Sequence, residues 1–160
     1  QLLDAILAGK IELRVECLRF SQQVLVAKIW IDRQERFRTS AYPITFISSI
    51  AGVEAIAAPI PYSSAKAGLQ QAAKNLARQL GPEGIRVNTV APGNVLVPGG
   101  HWETQMRKNP NHLKKYLQSE VPLRRLAEPR EIADAVIFLT SARARFISGA
   151  LLCVDGAQTR

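Results

Sequence analysis

The stretch PITFISS (43–49), followed by YSSAKAGLQQAAKNLARQL (62–80) and IRVNTV (85–90), decides the fold of this chain. The first and third pieces are short, apolar and rich in β-branched residues, the pattern of strands buried on both faces. Between them, Pro61 introduces a segment in which Ala65, Leu69, Ala72, Leu76 and Leu80 recur at three- and four-residue spacing. That is the period of an amphipathic helix, and Gly81-Pro82 supplies its stop signal. Working outward, Pro92-Gly93 closes the second strand, and Pro98-Gly99-Gly100 predicts a loop. A moderately helical insert follows over 103–117. Pro129 opens a further helix, with Glu131 in its first turn and Ile132, Ala135, Val136 and Leu139 on its apolar face. GALLCV (149–154) is the last predicted strand, closed by Asp155-Gly156. Strands alternating with helices of this length need crossover connections. The expectation is an α/β fold, a parallel sheet with helices on both faces.

Residues 1–42 are far less legible. Segments 2–8 and 18–31 carry helical character, although 24–31 (VLVAKIWI) fits a strand equally well on pattern alone. The chain therefore divides into an N-terminal segment, 1–42, expected to be helical, and the αβ part, 43–160.

Composition narrows the classes. A length of 160 residues allows one domain with a real core, and 47% apolar content with mixed charge belongs to a globular chain. No apolar run reaches the ~18 residues of a membrane span. The start has neither an initiator Met nor a basic signal-peptide region, so missing upstream sequence is expected. Cys17 and Cys153 stand alone, as do His101 and His112, so no metal site is expected. The cysteines read as buried thiols in a reducing, cytoplasmic setting. The net charge of +8 raises the question of nucleic acid. Basic residues nevertheless come at most in pairs, such as Arg107-Lys108, Lys114-Lys115 and Arg124-Arg125, with no interleaved aromatics. They read as a solvated surface with some pull on anionic ligands, not as a nucleic-acid interface.

Three features bear on chemistry. Tyr62 and Lys66 form a YxxxK pattern at the start of the long helix, where positions four apart share one face. A free phenol, with a pKa of about 10, exchanges protons poorly at neutral pH, and an ammonium one turn away favours its ionised form. Ser49 lies thirteen residues before Tyr62, just past the first strand, where open parallel sheets keep their ligand crevice. Its hydroxyl suits a hydrogen bond to a carbonyl oxygen, although Ser48 and Ser49 also suit simple capping of a strand end. Asn88 to Gly93 (NTVAPG) ends the next strand with Pro and Gly, which permit a sharp turn and close approach of a ligand, or an ordinary strand-to-loop turn.

Together, ITFISSIAG, PYSSAKAGL, IRVNTVAPG, EPREIADAVIFLTS and ISGALLCVDGA resemble, in order and spacing, the consensus blocks of the short-chain dehydrogenase/reductase family. Within it they are most similar to 3-oxoacyl-[acyl-carrier-protein] reductases. The resemblance runs from about 44 to 156 and implies the C-terminal catalytic half of a Rossmann-like domain. It implies an NAD(P)-dependent oxidoreductase that interconverts a carbonyl and an alcohol on a small-molecule substrate. Tyr62 would be the general acid/base and Lys66 its partner, bonded to the nicotinamide ribose. Ser49 would polarise the carbonyl, and Pro92, Gly93 and Val95 would lie against the carboxamide. A homodimer or homotetramer is implied as well, with no membrane or nucleic acid as partner.

The departures concern the cofactor. No TGxxxGxG turn for the pyrophosphate occurs, nor the residue that separates NAD from NADP, so the choice between the two is not legible. The family's catalytic Asn would match 10–14, which contains none, and Val97 stands where many members have Thr. The chain is accordingly expected to be an incomplete form that binds NAD(P)H weakly by itself. The alternative is a catalytically inactive interaction module, for which Ala65, Ala67, Ala72 and Ala73 suit close helix packing, though they suit an ordinary core equally well.

Overall fold

The computed structural model describes residues 43–160. The expectations placed on 1–42, including the helices over 2–8 and 18–31, the alternative strand over 24–31, the match at 10–14 and Cys17, lie outside the described residues.

Three parallel strands form the sheet: β1 (Ile44–Ile47), β2 (Val87–Pro92) and β3 (Leu151–Val154), in that spatial order. Ile44 pairs with Val87 and Ile47 with Val90, and on the other side Thr89 pairs with Leu151. The connections carry four helices: α1 (Ile60–Leu80), α2 (His101–Lys108), α3 (Pro110–Glu120) and α4 (Pro129–Thr140).

The core lies between α1 and one face of the sheet. Phe46 and Val87, which alternation puts on the same face, pack with Ala73, Ala77 and Leu80. Arg86 precedes Val87 in extended chain and so points the other way. Its guanidinium donates to the carbonyls of Leu139 and Ser141, capping the end of α4, and to that of Ile147 beyond it. Helices therefore flank both faces. Burial pushes the Arg86 pKa down, and the carbonyls replace the lost water.

Sequence and structure differ in four instructive places. The buried stripe of α1 runs through Lys66, Ala73, Ala77 and Leu80, while Ala65 and Ala72 are exposed. Leu69, Leu76 and Leu80 keep their predicted places against the core, whereas Lys66 and Ala73 are buried in place of Ala65 and Ala72. The second strand begins at Val87 rather than 85, although the Arg86 carbonyl already accepts from the Ile44 N–H at 2.8 Å. The last begins at Leu151 rather than 149, because Gly149 has φ +77°, which a strand cannot use. The insert is two helices rather than one, broken at Asn109-Pro110, where proline lacks the N–H that would continue the ladder.

Candidate active site

Tyr62 and Lys66 sit in the first two turns of α1. Pro61 in the first turn costs that helix nothing, because its missing N–H has no partner there in any helix. Lys66 is only 5% exposed, and its Nζ donates to the Ile47 carbonyl at 3.2 Å. The ammonium is thus held at the carboxyl end of β1. It also lies 5.6 Å from the centroid of the half-buried Tyr62 ring, within cation–π range.

Ser49 follows β1 and caps the short turn Ile50–Gly52, its Oγ accepting from the Ala51 N–H at 3.2 Å. The capping use and the chemical use are compatible. The cap occupies a lone pair and leaves the hydroxyl proton to donate.

Ser48, which the sequence offered only as a strand-end cap, and two residues that the motif reading passed over, Gln70 and Gly52, build this corner. The Oγ of Ser48, buried at 4% exposure, donates to the Lys66 carbonyl at 3.0 Å and accepts from Gln70 Nε2 at 3.0 Å. The same Gln70 nitrogen donates to the Ser49 carbonyl at 3.0 Å. Gly52 completes the joint: a Cβ there would stand 2.6 Å from Ala67 N and from Lys66 C. Only a residue without one lets this turn rest on the α1 backbone. The available signal was spacing, since Tyr62, Lys66 and Gln70 lie four apart on one helix face.

Pro92 ends β2, paired with Val154, and the Gly93 N–H donates to the Val154 carbonyl at 3.0 Å. What Gly93 meets is protein: a Cβ would come within 2.8 Å of Asp155 Cα. Its place in the sequence is explained by β3 packing, whatever else it approaches. Val95 forms an isolated parallel bridge with Ala127, and the Ala127 N–H donates to the Asn94 carbonyl at 2.8 Å. Val97 is 47% exposed.

Beyond these strand ends lies the α2–α3 insert. Trp102 stacks on Tyr116 at 5.2 Å, and the Tyr116 hydroxyl accepts from Asn94 Nδ2 at 3.1 Å and Gln158 Nε2 at 3.0 Å. A cavity of about 100 Å³ opens between Asn94, Val121, Leu123, Ala127, Val154 and Gly156. None of Ser49, Tyr62 and Lys66 lines it. Beside it Arg125 makes a two-pronged bond to Glu131, at 2.7 and 2.6 Å. That bond, with the Glu128 N–H, holds the exposed Glu131 carboxyl down at about 2. Burial pushes the Cys153 thiol up, so it is not poised as a nucleophile. Among the described residues no cluster of His, Cys, Asp and Glu could hold a metal.

Residues 31–159 match the family model described as enoyl-(acyl carrier protein) reductase. This chain belongs to the short-chain dehydrogenase/reductase family. Isoepoxydon dehydrogenase of Penicillium expansum is 42% identical over 98 residues, 61% of this chain and 38% of its own. A solved oxidoreductase of the family from Burkholderia thailandensis has 44% identity and a TM-score of 0.65, covering 72% of this chain and 44% of its own. L-sorbose reductase of Gluconobacter frateurii, solved with NADPH and L-sorbose, has 29% identity and a TM-score of 0.68, covering 76% and 48%. The chain thus spans less than half the length of each of these relatives. Its α/β architecture is the Rossmann-like fold of this enzyme family, represented by part of a domain.

Proposed function

We propose that the protein carrying this chain is an NAD(P)-dependent oxidoreductase that interconverts a carbonyl and an alcohol, with Tyr62 as general acid for reduction. The observation that carries the proposal is the placement of Lys66, a buried ammonium fixed to the end of β1 and facing the Tyr62 ring. Burying a lysine is costly, and a site that uses its charge is the economical reason to keep it. Tyr62 gives its proton to the carbonyl oxygen, and the neighbouring cation offsets the charge left on the phenol. Ser49 donates its free hydroxyl proton to the same oxygen and orients the substrate.

The residues present fit the nicotinamide end of a dinucleotide and no more. Lys66 and Tyr62 would face the ribose and ring, and the Pro92–Val95 backbone would flank the carboxamide. When bound, the nicotinamide supplies the hydride. The glycine-rich turn for its pyrophosphate is absent from this sequence. NAD and NADP both remain within the proposal, and the NADPH-bound neighbour supports a nicotinamide dinucleotide without choosing between them. The reading extends to a small-molecule substrate and a cytoplasmic homo-oligomer. No described helix is long and apolar enough to cross a membrane.

The second reading is an inactive interaction module. It rests on the outer face of α1, where Ala65, Ala67 and Ala72 are exposed and Ile60 is 79% exposed. Ala73 does not belong to that face, being 1% exposed in the core.

The test is reduction of ethyl acetoacetate, acetophenone and cyclohexanone with NADPH and with NADH. The protein should be expressed with whatever precedes residue 1 in its gene. Tyr62→Phe is expected to lower kcat/KM by about 10²–10⁴-fold at unchanged melting temperature. A Tyr62→Phe variant as active as the wild type would sink the assignment.

A further inference from the structure

The attachment of the α2–α3 insert converges on one side chain. Asn94 follows Gly93 past the end of β2, and Gln158 lies just past the end of β3. Their side chains close a ring of hydrogen bonds with the Tyr116 hydroxyl. Asn94 Nδ2 donates to Tyr116 at 3.1 Å and to Gln158 Oε1 at 2.9 Å, and Gln158 Nε2 donates to Tyr116 at 3.0 Å. Tyr116 itself projects from α3, and its ring carries the stacked Trp102 of α2 at an interplanar angle of 26°. Among the helices and strands, α2 packs chiefly on α3. One phenol thus holds both helices, α2 by its face and α3 by its oxygen.

Gln158 reaches this position through a strained turn. Ala157 has φ +67°, a conformation that side chains other than glycine avoid. Asp155 stabilises it, its carboxylate accepting from the Ala157 N–H at 3.0 Å, the Thr159 N–H at 2.9 Å and the Thr159 hydroxyl at 2.8 Å. Backbone strain of this kind persists where the position it secures is used. Here it delivers an amide to Tyr116.

We infer that Tyr116 is a positioning residue, whose oxygen clamps the insert to the ends of β2 and β3 and so fixes the Gly93–Val95 backbone, the wall proposed above for the nicotinamide carboxamide. The inference rests on the oxidoreductase reading above. The hydrogen bonds of Tyr116 go to Asn94 and Gln158, and none goes to Ser49, Tyr62 or Lys66. Loosening the clamp therefore moves the wall beside Gly93 and Val95 and leaves the proton donor in place. The consequence belongs in KM rather than kcat.

Tyr116→Phe keeps the ring under Trp102 and deletes only the oxygen. Amide exchange over 101–120 is expected to speed up about tenfold, with exchange over 60–80 unchanged. KM for the nucleotide that the wild type uses better should rise about tenfold, with kcat within about twofold. Gln158→Leu should do the same, and the double variant should be no worse than either single, because all three act on one node. Unchanged exchange over 101–120, strictly additive variants, or a kcat that falls as far as kcat/KM would each overturn the clamp. If the wild type reduces none of the three ketones with either nucleotide, the proposed reaction fails. The exchange comparison then decides the clamp independently.

Discussion

The corner around Ser49 and Lys66 and the α2–α3 insert are secured in opposite ways. At the corner, main chain meets main chain. Gly52 lets one turn lie against the α1 backbone, and Ser48 and Gln70 bond across the seam to carbonyls on both sides. At the insert, main-chain bonds lie at its base, as between Ala127 and Asn94, and α2 and α3 themselves are held through side-chain tips: an aromatic stack and a three-way hydrogen-bond node. The first arrangement has almost no room to shift. The second is adjustable one side chain at a time. A corner of that kind would suit the acid–base role proposed for Tyr62 and Lys66, which needs tolerances of a few tenths of an ångström.

Substitutions can break or sharpen that contrast. The largest effect belongs to Gly52→Ala, whose added methyl meets backbone atoms at 2.6 Å and cannot be accommodated by a rotamer change. It is expected to cost about 2 kcal/mol in denaturant unfolding and to lower activity with it. A variant with wild-type midpoint and rate would show that the corner is not tight. Trp102→Leu removes the stack on Tyr116 and the edge contact with His101. A loss of about 1 kcal/mol is expected, with faster exchange confined to 101–120. Spread of that exchange into 60–80 would erase the distinction between the two regions.

The smallest effect is the exposed Arg125–Glu131 bond on the segment leading out of the insert. The Glu131 carboxyl is lowered from 4.5 to about 2, first by the Arg125 hydrogen bond and then by the Glu128 N–H. Its folded-state value lies below its unfolded one, so its contribution is present above about pH 5 and is lost as pH falls toward 2. Glu131→Gln should melt slightly below the wild type at pH 7, and the two curves should converge by pH 2. Parallel curves across that range would show that the bond contributes nothing. Water screens so exposed a pair, which keeps the effect small.

Much of this was legible in the chain. β1, α1, β2, α4 and β3 all stand where periodicity placed them, within two residues. Short β-branched runs and three-four apolar spacing are local properties. Pro61, Pro129 and Gly81-Pro82 marked helix ends for equally local reasons. The YxxxK spacing alone sufficed to put Tyr62 and Lys66 on one side of a helix.

The sequence by itself determined the order of the elements and the family, and with them the candidate residues Ser49, Tyr62 and Lys66. The tertiary structure alone decided what holds them. No periodicity predicts that a lysine is the first buried residue of the α1 stripe, because its burial depends on the Ile47 carbonyl, nineteen residues away. Nor does any motif join Asn94, Tyr116 and Gln158, whose separations of 22 and 42 residues only folding closes. Hydrogen bonds between distant side chains leave no periodic trace in the chain, since each partner individually looks like an ordinary polar residue.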